Sequence, residues 1–138
     1  MSGIALVTGG AGFIGSHMVD LLLEEGLHVR VIDNLSCGRK SNLAHHSNNP
    51  RLHVEFADIR SLSVDHSIYK NIDYAFHFAG IGDIVPSIEK PAEYLSVNVQ
   101  GTVQVLEGLR NSKIKKFIYA ASSSCYGLAD IPTTESAP

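Results

Sequence analysis

A glycine-rich segment near the amino terminus has the residue types and the spacing of a phosphate-binding turn. Residues 8–17 read TGGAGFIGSH, with Gly9, Gly12 and Gly15 at a three-residue period. A short apolar run precedes the segment and an amphipathic one follows it, which is typical of a buried strand that turns into a helix. Glycines let the backbone approach a pyrophosphate closely, and a helix N-terminus offers N–H groups and a positive dipole to it. The segment therefore predicts a dinucleotide site.

An acidic residue follows at the distance that such a site requires. Asp33 ends the next apolar run, about 20 residues further on, where a carboxylate accepts hydrogen bonds from the adenosine ribose hydroxyls. Two alternatives stay open. A P-loop shares the spacing of Gly10 and Gly15, but Ser16 and His17 stand where it needs Lys and Ser or Thr. A purely structural glycine turn is the other alternative, although turn chemistry alone explains three periodic glycines poorly.

Composition narrows the class of protein. The chain has 138 residues, of which 44% are hydrophobic, and a mean hydropathy of +0.07, which predicts one globular domain over residues 1–138. The net charge of −3 disfavours nucleic-acid binding. No apolar stretch reaches the roughly 18 residues that cross a membrane, and neither a signal-peptide pattern nor a secreted disulfide framework is present. We expect a cytoplasmic protein with reduced thiols. The seven histidines show no ligand spacing, so no metal site is expected.

Strand-like and helix-like apolar patterns alternate along the chain. We predict strands at about 3–8, 28–33, 52–57, 73–79 and 117–121, and helices at about 12–25, 62–70 and 91–111. The predicted buried face of the first helix is Ile14, Met18, Leu21 and Leu22, and that of the last is Leu95, Val99, Thr102, Leu106 and Leu109. The alternation predicts an α/β fold with a doubly wound parallel sheet of about five strands, helices on both faces and right-handed crossovers.

Polar or small residues follow four of the predicted strands. They are Asp33, Asp58, the pair at 79–80 and the serines at 122–124. Ligands of open parallel sheets bind beyond the carboxyl ends of the strands. Because all four groups lie at that edge, we expect them to converge on one crevice.

Taken together, these motifs resemble the extended short-chain dehydrogenases/reductases, in particular the NAD-dependent epimerase/dehydratase family and its nucleotide-sugar epimerases of the UDP-glucose 4-epimerase type. The matching segments are residues 8–17, 33–35, 58–60, 77–80, 90–91, 98–102 and 122–127. The resemblance covers nearly the whole chain. It implies a Rossmann fold, here incomplete, with NAD as cofactor and a UDP-sugar as substrate.

The resemblance assigns cofactor contacts to fifteen residues. They are Gly9, Gly12, Phe13, Ile14, Gly15, Asp33, Asn34, Ser36, Asp58, Ile59, Phe78, Ala79, Gly80, Ile81 and Asn98. Phe13 and Ile14 are expected to contribute backbone at the helix start, and Asp58 to accept from the adenine amine. A carboxylate at Asp33 repels a 2′-phosphate, which favours NAD over NADP. An alternative stays open for Asn98, whose amide could instead satisfy neighbouring backbone.

The resemblance also implies a catalytic hydroxyl. Ser122 ends the fifth predicted strand, where the family's serine contacts the reacting sugar oxygen, and Ser123 and Ser124 are expected beside the substrate. The alternative is a solvated serine turn. Dehydratases of the family carry Asp-Glu after this hydroxyl, whereas Ser123 and Ser124 stand here, which favours epimerisation over elimination.

One part of the family's machinery is missing from these residues. The family uses a Tyr-x-x-x-Lys pair, and none of the five tyrosines is followed by lysine at the fourth position. We expect an amino-terminal portion without the carboxy-terminal substrate lobe, inactive by itself, of an enzyme that forms a homodimer. The remaining alternatives are a nucleotide-sugar dehydratase or dehydrogenase and a non-catalytic dinucleotide-binding module.

Overall fold

A single parallel sheet organises the molecule. The computed structural model describes residues 3–136. Its strands are β1 (Ile4–Thr8), β2 (His28–Ile32), β3 (Leu52–Glu55), β4 (Tyr74–His77) and β5 (Lys116–Tyr119). They lie in the order β3-β2-β1-β4-β5, and every neighbouring pair is parallel. The strand order reverses between β1 and β4, which confirms the predicted doubly wound fold and marks the crevice where such folds bind ligands.

The first helix confirms the one predicted at about 12–25, whereas the later helices are shorter and more interrupted than the sequence predicts. The helices are α1 (Phe13–Glu24), α2 (Ile84–Glu89), α3 (Pro91–Leu95) and α4 (Gly101–Leu109), and short 3₁₀ helices cover Lys40–His46, Ser67–Tyr69 and Ser123–Tyr126. A π-helical segment, Ser96–Gln100, joins α3 to α4. No helix among residues 3–136 is long and apolar enough to cross a membrane.

The helix predicted at about 62–70 is wrong. Only Ser67–Tyr69 is helical there, as a single 3₁₀ turn. Side chains next to it bond to nearby backbone: Ser63 Oγ accepts from Asp65 N and His66 Nδ1 accepts from Ile68 N. Such local bonds give the backbone an alternative to a helix, which explains the interruption.

Two hydrophobic layers cover the sheet. Along β1 the side chains alternate, so Ala5 and Val7 face the layer that contains α1, while Leu6 faces the layer that contains α4. The α1 layer includes Val19 and Leu23. Tyr74, Phe76 and Phe78, which alternate along the chain, all pack against this same layer.

The buried face of α1 differs from the predicted one. Ile14 and Leu21 are 61% and 51% exposed, while Val19, Leu22 and Leu23 are buried. Gly15 and Ser16 also face the sheet. The helix approaches the glycine turn through these two small residues. A search for apolar residues at helical spacing does not detect them, because neither is apolar and large. Leu22 is buried as predicted and Met18 packs against the same layer, so the observed face overlaps the predicted one but is rotated from it.

The face of the last helix also differs. Of the predicted set, only Leu109 is buried, and Leu95, Val99 and Leu106 are exposed. The observed contact surface contains Gly101, Val105 and Gly108. An added Cβ would lie 2.6 Å from Ile59 Cδ1 at Gly101 and 2.6 Å from the Tyr69 ring at Gly108. Close approach to bulky side chains thus selects the glycine face.

Candidate functional site

A cleft opens at the carboxyl ends of the central strands. It is open to solvent along one side, and its walls are formed by the glycine turn and by the residues that follow β2, β3 and β4. Eleven of the predicted site residues line it: Gly9, Gly12, Asp33, Asn34, Ser36, Asp58, Ile59, Phe78, Ala79, Gly80 and Ile81. The convergence predicted for the residues that follow β2, β3 and β4 is therefore confirmed.

The glycine turn is built by close backbone contacts. Gly9 has φ +70°, and a Cβ there would lie 2.8 Å from both Phe78 C and Ala79 N. A Cβ at Gly15 would lie 2.1 Å from Gly9 O. The turn is thus held between β4 and the first turn of α1, and no larger residue fits at either position.

The start of α1 presents uncapped backbone. Gly12 is the N-cap and supplies no side-chain hydrogen bond. The first N–H groups of a helix have no partner inside the helix, and here they begin at Phe13 and Ile14. The side chains of these two residues are 78% and 61% exposed and do not line the cleft. Only their backbone has the position of an anion site.

Asp33 is tied to the glycine turn by its own carboxylate. It is 7% exposed, and its Oδ2 accepts from Ala11 N at 2.9 Å while its Oδ1 accepts from Leu35 N at 2.7 Å. Each carboxylate oxygen retains a further lone pair for another donor. The sequence analysis missed Gly38, where an added Cβ would lie 2.8 Å from Asp33 Oδ1. The acid and the turn form one preassembled unit.

Asp58 carries a partner that the sequence analysis did not single out. Arg60 donates through Nε to Oδ1 at 2.9 Å and through Nη2 to Oδ2 at 2.6 Å, and Asn34 Nδ2 donates to Oδ2 at 3.2 Å. These bonds, led by the Arg60 guanidinium, lower the pKa of Asp58 to about 2 against the opposing effect of burial. Asp58 is therefore a fixed carboxylate on the cleft wall.

A buried chain of hydrogen bonds lies beneath the cleft. Thr102 Oγ1 donates to Asn98 O at 2.7 Å, so it must accept from His77 Nε2 at 2.9 Å. The other ring nitrogen, Nδ1, then accepts from Thr8 Oγ1 at 2.6 Å, and that hydroxyl accepts from Ala79 N at 3.2 Å. Burial lowers the pKa of His77 to about 4, which keeps the ring neutral as this pattern requires. The chain joins β1 to the helix that carries Asn98.

Asn98 and Ser122 lie in a second cavity that adjoins the cleft. Both cavities share residues 78–81 as a common wall. Asn98 Oδ1 accepts from Ile81 N and its Nδ2 donates to Ile81 O, both at 2.9 Å. The Asn98 amide thus bonds to neighbouring backbone, which was the alternative left open by the sequence. Through these two bonds Asn98 holds the common wall in place.

The serines after β5 are only partly gathered into the site. Ser122 lines the second cavity, whereas Ser123 and Ser124 are exposed and line neither cavity. Ser122 Oγ accepts from Ser124 N at 3.1 Å and donates to Ser124 Oγ at 3.0 Å. The Ser122 hydroxyl caps the following 3₁₀ turn and faces the region next to Asn98.

Comparisons with known proteins agree with this geometry. Residues 5–138 match the model of the NAD dependent epimerase/dehydratase family. A UDP-glucose 4-epimerase from Yersinia enterocolitica is 39% identical over 96% of this chain and 41% of its own length. Among solved structures, a UDP-N-acetylglucosamine 4-epimerase from Methanobrevibacter ruminantium M1, in complex with UDP-N-acetylmuramic acid, superposes with a TM-score of 0.86 at 35% identity, over 98% of this chain and 43% of that one.

A second similar structure is a complex with NAD+. The UDP-glucose 4-epimerase from Bifidobacterium longum, in complex with NAD+ and UDP, has a TM-score of 0.85 and 33% identity, over 98% of this chain and 42% of that one. The chain spans about two fifths of the length of each of these relatives. The match nevertheless extends along almost all of the 138 residues, from β1 through the serines after β5. The chain belongs to the NAD dependent epimerase/dehydratase family.

Proposed function

We propose that residues 1–138 form the NAD-binding domain of a UDP-sugar 4-epimerase. The observation that carries this proposal is the hydrogen bond between Ala11 N and Asp33 Oδ2, because it locks the glycine turn and the acid into one wall of one cleft. A pyrophosphate site and a ribose site at a fixed separation are what an adenine dinucleotide requires. The family and the relatives support the assignment of NAD.

The cleft residues divide into groups along such a cofactor. The backbone at Gly12, Phe13 and Ile14 would hold the pyrophosphate, since these residues begin α1 and its first N–H groups have no partner inside the helix. Asp33 would accept from the adenosine ribose hydroxyls through its remaining lone pairs. Asp58 and Ile59, at the far end, would flank the adenine, with Asn34 and Ser36 beside the ribose.

The second cavity would receive the reactive end of the cofactor and the sugar. Bound NAD supplies reversible removal of a hydride from a sugar carbon and its return to the opposite face. Asn98 would keep the wall at residues 79–81 close to the cofactor through its two bonds to Ile81. Ser122 would place its hydroxyl against the sugar oxygen that loses a proton, with Ser123 and Ser124 on the substrate side.

Cofactor binding is tested by calorimetric titration of the chain with NAD and NADP. We expect binding of NAD, weaker or no binding of NADP, and loss of NAD binding in Asp33→Ala. Asp65→Ala is the matched control, since Asp65 is an exposed carboxylate outside the cleft. Circular dichroism shows whether each variant is folded. Preference of the folded chain for NADP, or no heat with NAD, would contradict the proposal.

The reaction is tested in a chimera in which these residues replace the matching part of the Yersinia enterocolitica relative. With UDP-glucose we expect conversion to UDP-galactose, and loss of that conversion in Ser122→Ala. A 4-keto-6-deoxy product would instead show a dehydratase. Epimerisation is favoured because no carboxylate follows Ser122, so elimination lacks its acid and base at Ser123 and Ser124. Cytoplasmic location and a homodimer stay predictions, checked by cell fractionation and by sedimentation of the same chimera.

A further inference from the structure

A cluster of three side chains outside the cleft has the composition of a metal site. It consists of Asp20 on α1 and of His45 and His46 at the end of the 3₁₀ helix Lys40–His46. The sequence analysis expected no metal site, because Asp20 lies 25 residues before His45 and no short ligand spacing is visible. The fold brings the three together.

The ligand atoms converge. Asp20 Oδ1 accepts from His45 Nε2 at 2.9 Å and from His46 Nε2 at 2.8 Å, and the three atoms all lie within 4.8 Å of one another. The two imidazole rings are 4.1 Å apart and inclined by 44°, so both nitrogens reach the same carboxylate oxygen. From the geometry of this cluster we infer that Asp20, His45 and His46 bind one Zn²⁺ ion.

The donor set suits zinc. Two imidazole nitrogens and one carboxylate oxygen form a three-ligand zinc site, and water completes the tetrahedron. Zinc at about 2.0–2.2 Å from such atoms holds them roughly 3.4 Å apart. The two hydrogen bonds therefore need to lengthen by only about 0.5 Å. On binding, each imidazole moves its proton from Nε2 to Nδ1, since the ligating nitrogen must be unprotonated.

The cluster is accessible to an ion. The side chain of His46 is 18% exposed and that of His45 is 55% exposed, which gives an ion a path from solvent without unfolding.

Zinc here would join α1 to the connection between β2 and β3. The same connection already bonds the glycine turn, through Arg39 N and Asn42 Nδ2 to Ala11 O at 3.0 and 2.8 Å. An ion that fixes the end of this 3₁₀ helix would stabilise the segment that closes one side of the cleft. The site does not depend on the proposed reaction.

The test is metal content and stability of the chain after removal of metal with EDTA and dialysis against ZnCl₂. We expect one zinc per chain by elemental analysis, and its loss in His45→Ala and in Asp20→Asn. His45 is half exposed and Asn has the shape of Asp, so both variants should fold. His53→Ala is the matched control, because His53 is an exposed imidazole 3.9 Å from a different carboxylate, Glu55. The control should retain its zinc.

Two further readouts separate this site from other zinc binding. At a free zinc concentration about 100 times Kd, the unfolding equilibrium should shift about 100-fold toward the native state, and not in the two cluster variants. Co²⁺ in place of zinc should give a tetrahedral spectrum without a thiolate band. A thiolate band would place the metal on Cys37 or Cys125, which are exposed. That result, no retained zinc, or equal zinc in the cluster variants would overturn the inference.

Discussion

The two sides of the carboxyl edge of the sheet are built by different means. On the side of β1 and β2, backbone holds the site: Gly9 and Gly15 fit only without a Cβ, and Asp33 is 7% exposed with both carboxylate oxygens bonded to N–H groups. On the side of β5, the site consists of side chains that are exposed to solvent. Ser122 is exposed, and within residues 3–136 its hydroxyl bonds to Ser124 alone.

The difference matches the proposed division between holding a cofactor and acting on a substrate. A backbone cradle is fixed by the fold itself. The hydroxyl at Ser122 is fixed by local bonds alone, so its position depends on what packs against it. His77 and Asn98 lie between the two sides and connect them. Substitutions on the two sides should therefore differ most in their effect on stability.

The largest effect is expected at Gly15→Ala. The added Cβ would lie 2.1 Å from Gly9 O, and neither backbone segment can move without disturbing β1. We expect a loss of about 3 kcal/mol or more from overpacking, although alanine favours a helix by about 1 kcal/mol over glycine. Urea denaturation measures it. Gly82→Ala is the control, since nothing lies within 4 Å of its added Cβ. Equal stability of the two variants would contradict the backbone-cradle interpretation.

The next effect is a pH dependence at the connection between the two sides. The folded pKa of His77 is about 4, below the 6.5 of a free imidazole. Between pH 6.5 and 4 the imidazole is therefore protonated in the unfolded chain and neutral in the folded one. The free energy of unfolding should fall as the pH drops through this range, by up to about 3 kcal/mol. In His77→Gln this decline should shrink by that amount, whereas exposed His53→Ala should keep it. Urea titrations at several pH values decide, and an unchanged decline in His77→Gln would refute the assignment.

Part of this architecture could be predicted from the sequence. The parallel sheet, the glycine turn, Asp33 and the convergence after β2, β3 and β4 follow from local patterns: apolar runs, glycine spacing and the rule that parallel strands end at one edge. Each of these features depends on residues close together in the chain. The pairing of Asp58 with Arg60 is just as local, and the Asp-x-Arg spacing was a usable signal that the sequence analysis passed over.

The rest depends on contacts between distant residues. The predicted face of the last helix was wrong because Gly101 and Gly108 pack against Ile59 and Tyr69, and glycine adds nothing to an apolar periodicity. The π-helical Ser96–Gln100 also shifts the phase of the side chains that follow it. The bonds of His77 to Thr8 and Thr102 span 69 and 25 residues, and no spacing rule anticipates them.

An intermediate effect is expected where Asn98 supports the common wall of the two cavities. Asn98→Ala leaves Ile81 N and Ile81 O without their side-chain partners. We expect a loss of about 1–2 kcal/mol together with weaker NAD binding. Asn98→Asp places a carboxylate oxygen where Nδ2 donates to Ile81 O, so two acceptors face each other and the loss should be at least as large as in Asn98→Ala. Calorimetry and urea denaturation measure both, and a normal NAD affinity in Asn98→Ala would remove the proposed supporting role.

A smaller effect is expected at the charged pair on the backbone-built side. Arg60→Ala should raise the pKa of Asp58 from about 2 toward its usual 3.8. The lowered pKa of Asp58 stabilises the folded state fully above about pH 4, and this stabilisation is lost as the pH falls through 2. The variant should therefore be less stable than the wild type at neutral pH and equally stable at pH 2. Solvent screening keeps the loss below about 1 kcal/mol. An NMR titration of the Asp58 carboxyl carbon checks the pKa, and an unshifted value would show that Arg60 is not its main partner.

The smallest effect on stability is expected at Ser122, the residue proposed to contact the reacting sugar oxygen. Ser122→Ala removes one hydroxyl from an exposed turn, so the free energy of unfolding should stay within about 0.5 kcal/mol of wild type. NAD binding by the chain should change little, since the proposal places the Ser122 hydroxyl against the sugar oxygen and not against the cofactor. The same substitution should abolish epimerisation in the chimera with the Yersinia enterocolitica relative. A stability loss as large as that of Gly15→Ala would mean that Ser122 supports the fold, and the contrast between the two sides of the sheet would disappear.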